Sequence, residues 1–196
     1  MRPLAADLVE AGFSVCNLDY PSRSAPPEEL VAEIAGGIEA CGAGGAPRMH
    51  FVGHSLGGIL ARAYLADRHL ANLGRVVMLA PPNRGNEYVD RLVGSDVLRW
   101  LLGPTWAELG TGETSLPRRL PPPSYELGVI AGTWSMNPFA GLVLDGEHDG
   151  LVSVESTKLA GMTDFLTVER SHTFIMRADE VAAAVIHFLR HGRFGK

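Results

Sequence analysis

Three residues in this chain have the types and the order needed for nucleophilic acyl transfer: Ser55, Asp149 and His172. Ser55 sits in Gly53-His54-Ser55-Leu56-Gly57, directly after the apolar run Met49-His50-Phe51-Val52 and directly before a helical pattern, Ile59-Leu60-Ala61-Arg62-Ala63-Tyr64-Leu65. A Gly-x-Ser-x-Gly turn between strand and helix is a nucleophile elbow, in which the sharp reversal lifts the serine hydroxyl clear of the sheet. Glycines flank it because a side chain at either position would collide across the turn. The helix that follows adds a positive partial charge beneath the serine. The plainer alternative is a glycine-rich turn in which Ser55 only caps the helix, a position serine favours.

A serine hydroxyl is a weak nucleophile until a histidine takes its proton, and a carboxylate is then needed to hold the imidazole in the right tautomer. Both are sought at the C-terminal ends of later strands, where sites gather in parallel sheets. His172 lies in Arg170-Ser171-His172-Thr173, between the last strand and the last helix, and is read as the base. His187 falls inside that last helix, His54 adjoins the serine and is taken to point elsewhere, and His148 adjoins the acid. Asp149, in Gly146-Glu147-His148-Asp149-Gly150, is read as the acid, just beyond a strand ending near Asp145. Asp145 is its rival, with a turn-forming role before Gly146 as the alternative. Asp19 also ends a strand but precedes the serine.

The elements that must position these groups alternate. A short helix over Pro3–Ala11 is stopped by Gly12, and Phe13–Leu18 alternates as a strand. A helix follows from about Glu28 to Cys41, then the elbow strand and helix, and a buried strand over Arg75–Ala80. Later strands are expected at Leu127–Gly132, Leu142–Asp145 and Asp164–Val168, with a final helix near Ala178–Arg190. Strands alternating with helices predict an α/β fold, a mostly parallel sheet covered on both faces. Residues 83–124 break the rhythm, with a helix expected from Glu87 to Leu102. They are read as an insertion that either caps the site or packs helices on the sheet. At 196 residues and 46% hydrophobic, the chain makes one domain over 1–196.

A net charge of −5 argues against nucleic acid as the main partner. No apolar run reaches the roughly 18–20 residues of a membrane span. The two cysteines form no metal or redox motif. Cys16, in the first strand, reads most simply as a buried small hydrophobe, with a pairing to Cys41 as the alternative. No metal or organic cofactor is implied.

With these segments in hand, the sequence resembles the α/β-hydrolase superfamily, and more closely the small bacterial lipases and esterases with a Gly-His-Ser-Leu-Gly-Gly elbow. The resemblance is carried by Ala11-Gly12-Phe13, Asp19-Tyr20-Pro21-Ser22-Arg23-Ser24, the elbow at 53–58, Pro82-Asn83-Arg84-Gly85, His148-Asp149-Gly150-Leu151-Val152 and Ser171-His172. It implies that Leu56 N–H supplies one donor of the oxyanion hole. The second comes, in the family, from a loop after an earlier strand ending in His-Gly, and no such segment precedes Gly12. The resemblance therefore implies that the N-terminal strand and oxyanion loop are missing, from between the strand at 13–18 and the elbow strand. Two arrangements follow: the natural protein begins upstream of Met1, or the strand at 13–18 pairs directly with 49–53.

The expected activity is cleavage of a small-molecule carboxylic ester with an apolar acyl group, through an acyl-enzyme on Ser55. Trp100 and Trp106 are the candidate acyl-pocket residues. A catalytically impaired binding module on the same fold, or an acyltransferase using the same acyl-enzyme, are the alternatives. The expected location is cytoplasmic, with an upstream export signal or anchor as the alternative.

Overall fold

The computed structural model describes residues 1–42, 45–92 and 103–195. The first helix, α1 (Arg2–Glu10), buries Leu4 and Leu8. The second, α2 (Pro27–Ala40), opens on a proline and two glutamates, both suited to a first turn, and buries Leu30, Ile34 and Ile38. The elbow strand β1 (Met49–His54) runs into α3 (Leu56–Ala66) through Ser55 alone. Strand β2 (Leu73–Leu79) follows, then α4 (Glu87–Leu92), α5 (Pro104–Ala107) and α6 (Leu116–Arg119). Strand β3 (Leu127–Gly132), α7 (Val154–Thr157), β4 (Asp164–Val168) and α8 (Asp179–His191) complete the order.

The four strands form one parallel sheet in the order β1-β2-β3-β4. Side chains on a strand alternate between faces, and β2 divides its residues accordingly. Val76 and Met78 join α2, α3, Leu127 and Val129 on one face. Val77 and Leu79 join α1, α8 and Ile130 on the other. Both faces are covered, so the strands read as continuous apolar runs. Burying a side chain such as Leu30, Ile59 or Phe188, each fully enclosed, contributes about 1.5–3 kcal/mol. Helix α8 carries Asp179 and Glu180 in its first turn and Arg190 and His191 in its last, and stops at Gly192 with φ 76°.

Three expectations from the sequence are corrected. Residues 13–18 form no strand, and β1 has a strand neighbour on one side only among the described residues. The direct pairing of 13–18 with 49–53 is therefore not adopted. Ser14, Val15, Cys16 and Asn17 are exposed, so water can satisfy their backbone groups without a ladder. Cys16 is accordingly not a buried hydrophobe: it is exposed and disulfide-bonded to Cys41, with Cα atoms 6.3 Å apart. Residues 142–145 are not a strand either. Ala140–Leu142 is a 3₁₀ turn, Leu144 N–H donates to Ala140 O, and Ala140 and Leu144 are buried while Leu142 is exposed. That is helical spacing rather than alternation, so β3 leads into β4 in the sheet and Asp149 lies on a long excursion between them. The helix expected over 87–102 is described only as far as Leu92, and its remainder lies outside the described residues. Among the described residues no helix is long and apolar enough to cross a membrane.

Candidate active site

Ser55 joins β1 to α3 with φ 52° and ψ −122°, a conformation that costs a non-glycine residue about 1–3 kcal/mol and is held only by its surroundings. Those surroundings are specific. Ser55 N–H donates to Leu79 O at 2.8 Å, and Gly58 N–H donates to Ser55 O at 3.0 Å. The serine side chain makes no capping bond, so the helix-cap reading does not account for it. A Cβ on Gly53 would fall 2.6 Å from Gly58 N and 2.7 Å from the Gly57 carbonyl, which leaves no room for any other residue. Leu56, the buried first residue of α3, contributes one of the first-turn N–H groups that have no helical acceptor.

Asp149 and His172 meet beyond the end of β3. A Cβ on Gly132 would strike the Arg170 carbonyl and come within 2.8 Å of Asp149 Cβ, so the glycine allows both loops to close over the strand. Asp149 is 2% exposed. Its Oδ1 accepts from the backbone N–H of Leu151 (3.0 Å) and Val152 (2.8 Å), and its Oδ2 accepts from His172 Nδ1 at 2.7 Å. His172 N–H also donates to Asp149 O at 3.0 Å. A carboxylate can only accept from the ring, so Nδ1 carries a proton. The Ser55 hydroxyl makes no hydrogen bond among the described residues; catalytic contacts are often long before substrate binds.

The link between the elbow and the His172 loop is His54, taken from sequence to point elsewhere. Its Nε2–H donates to His172 O at 2.9 Å, and the two rings lie 4.8 Å apart. Burial, followed by the neighbouring His172 ring, pushes the His54 pKa down to about 3, so it stays neutral and keeps this tautomer. Tyr20 approaches the other side of the elbow: a Cβ on Gly57 would lie 3.1 Å from its hydroxyl. Burial raises the Tyr20 pKa, which keeps it a neutral phenol.

The segment after β2 grips the loop that carries Asp149. Asn86 Nδ2 donates to Leu151 O (3.0 Å), Ser153 Oγ to Glu87 Oε1 (2.7 Å), Asn83 Nδ2 to Thr157 O (2.8 Å) and Arg84 N–H to Ser156 O (2.9 Å). Asn83 is held in turn by Arg62 of α3, whose Nη1 donates to Asn83 Oδ1 at 3.0 Å. Arg62 is 3% exposed and also donates to the carbonyls of Pro117 and Leu120. Burial lowers its pKa to about 10, still charged at neutral pH. None of these partners is a carboxylate; the cation is solvated by oxygen dipoles.

The remaining candidates fall elsewhere. Asp145 is exposed in the turn before Gly146, and Asp19 is exposed ahead of α2. His148 pairs through its backbone with Ser153, and its Nδ1 is buried with no partner among the described residues. His187 lies on α8 with Nδ1 against Arg193 O. Trp106 packs partly buried against the α2–α3 core, and Trp100 lies outside the described residues. Among the described residues no three His, Cys, Asp or Glu side chains converge as metal ligands.

The family model described as the alpha/beta hydrolase family matches residues 1–184. The chain belongs to this family. Among solved structures, this chain is similar to the Bacillus licheniformis lipase BlEst2 in its mature form, at 21% identity over 81% of this chain and 71% of that one, with a TM-score of 0.61. It is similar to the metagenomic carboxyl esterase MGS0156, at 17% identity over 88% of this chain and 58% of that one, TM-score 0.60. Phospholipase PlaB from Legionella pneumophila matches at 17% identity over 79% of this chain, TM-score 0.58. The chain spans 41% of that phospholipase's length. At these identities the likeness is one of fold. No curated protein matches this chain in sequence.

Proposed function

We propose that this chain is a serine hydrolase that cleaves carboxylic esters through an acyl-enzyme. Ser55 Oγ attacks the ester carbonyl and His172 Nε2 takes its proton. Asp149 holds the ring in the Nδ1–H tautomer and stabilises the imidazolium. The Leu56 N–H faces the developing oxyanion, a contact whose loss from such sites typically costs about 10²–10³ in turnover. Collapse of the tetrahedral intermediate expels the alcohol, which takes the proton from His172. Water then repeats the sequence on the acyl-serine and returns free enzyme.

The observation that carries this reading is the buried Asp149–His172 pair at 2.7 Å, tied by His54 to the strained Ser55 that follows it in the chain. An apolar acyl group is supported by the surroundings. Of the seven large apolar side chains exposed among the described residues, Trp134, Met136, Phe139 and Leu142 lie between β3 and Asp149, and Phe174 follows His172. These five join Trp100 and Trp106 as candidates for the residues against which an acyl chain would lie. Turnover of p-nitrophenyl esters of graded acyl length tests the reading. The expected result is hydrolysis that improves with chain length and is abolished by Ser55→Ala; hydrolysis unaffected by that substitution refutes it.

A further inference from the structure

Asp149 Oδ1 is held by two backbone N–H groups, and the shorter of these bonds comes from Val152 at 2.8 Å. That N–H belongs to the same planar peptide as the Leu151 carbonyl, and in a trans peptide the two point in opposite directions. The Leu151 carbonyl is itself bound, by Asn86 Nδ2 at 3.0 Å. The result is one continuous line: Asn86 amide to Leu151 carbonyl, through the peptide to Val152 N–H, on to Asp149 Oδ1, and from Oδ2 to His172 Nδ1. Hydrogen bonds in such chains polarise one another, and the effect is largest where water is excluded. Water is excluded here: Asn86 is 1% exposed, Val152 1% and Asp149 2%.

Asn86 is fixed at its other end as well. Its Oδ1 accepts from Tyr88 N–H at 2.9 Å, capping α4, and its own N–H donates to Leu109 O at 2.7 Å. The side-chain amide therefore has a single orientation, with Oδ1 on the helix and both amide hydrogens turned away from it. A residue that only capped α4 would need the oxygen alone, since serine or aspartate serves there equally. The amide hydrogen is what a cap does not require, and it is spent on the peptide that cradles the acid.

We infer that Asn86 is a positioning residue for the triad, acting on Asp149 through the Leu151–Val152 peptide; this rests on the ester-hydrolase reading above. It orients and polarises the Val152 N–H, so that Asp149 keeps Oδ1 occupied and Oδ2 directed at His172. Nothing in the sequence marks it, because Asn86 and Asp149 lie on different loops and neither contacts the other directly.

The test is Asn86→Ser, which keeps an oxygen to cap α4 and removes the amide donor, beside Thr105→Val as a control. Thr105 is fully buried and donates to Ala25 O at 2.6 Å, so its loss also leaves an unpaired carbonyl, but one outside the triad network. The readout is the downfield Nδ1–H proton resonance of His172, which reports the bond to Asp149 directly. In Asn86→Ser it moves upfield or broadens, and fluorophosphonate labelling of Ser55 slows roughly tenfold, the effect of about one hydrogen bond. In Thr105→Val both stay at wild-type values. An unchanged resonance in Asn86→Ser, or the same change in Thr105→Val, overturns the proposal. An Asn86-sensitive resonance in a chain whose Ser55 never labels upholds the positioning role and sinks the hydrolase reading instead.

Discussion

Replacing His54 by glutamine separates its hydrogen bond from its titration. Burial and the adjacent His172 hold the folded-state pKa of His54 at about 3, whereas an unfolded histidine titrates near ~6.5. Between those values the unfolded chain binds a proton that the folded chain refuses. The stabilisation is therefore complete above about pH 6.5 and drains as pH falls, until it is exhausted near the folded value of about 3. At about 1.36 kcal/mol per pH unit once below pH 6.5, the loss from pH 7 to pH 5 comes to about 2 kcal/mol. The amide of a glutamine side chain reaches as far as an imidazole Nε2 and can keep the donor to His172 O, but does not titrate in this range. Urea denaturation of both proteins at pH 7 and pH 5 reads the difference. His54→Gln should stay within about 1 kcal/mol of wild type at pH 7, and lose about 2 kcal/mol less on going to pH 5. Contributions from other titrating groups are common to both proteins and cancel. Equal losses in the two proteins would refute the assignment of His54 as a neutral donor enclosed by the fold.

Gly53→Ala drives a Cβ to 2.6 Å from Gly58 N, and urea denaturation should show at least the 1–3 kcal/mol typical of overpacking, about that much even after relaxation. Arg62→Met leaves Asn83 Oδ1 and the carbonyls of Pro117 and Leu120 without their donor. At about 1–3 kcal/mol for each orphaned acceptor, a loss of about 3 kcal/mol or more in the same assay is expected; a near-neutral result would show that water replaces the guanidinium. Asp149→Asn should lower ester turnover by about 10⁴ while leaving the far-UV circular dichroism intact, because it forces the wrong histidine tautomer. The Cys16–Cys41 bond closes a separation of 25 residues, worth about 3.5 kcal/mol by loop entropy. Denatured protein should titrate no thiols without reductant and lose up to that amount with it; two free thiols would contradict the pairing.

What the sequence made legible was what local pattern controls. Strand β2 and helix α8 follow from an apolar run and a 3.6-residue period, and the elbow from glycines that nothing else fits. Residues 13–18 misled because alternation describes a strand only when a neighbouring strand takes up its hydrogen bonds, and here the segment is left to solvent. Leu142–Asp145 misled because four mostly apolar residues do not distinguish a strand from a turn; burial of Ala140 and Leu144 but not Leu142 decides it. His172 follows strand β4 as its sequence position implied, whereas Asp149 was read from a strand at 142–145 that the structure replaces with a 3₁₀ turn; the two side chains nonetheless meet. His54, Asn86 and Arg62 were not, because their partners lie 118, 65 and 21 residues away, and no local signal carries a contact of that kind. His54 at least adjoined the serine, where a polar ring next to a nucleophile invited the question of what it binds.

The central claim is that Ser55 is a nucleophile activated by His172. Reaction with a fluorophosphonate, followed by mapping of the modified peptide, tests it most directly. One adduct is expected, on Ser55, absent in Ser55→Ala and slowed by orders of magnitude in a folded His172→Ala variant. A Ser55 that stays unmodified in the wild-type chain, or that labels equally well without His172, would contradict it.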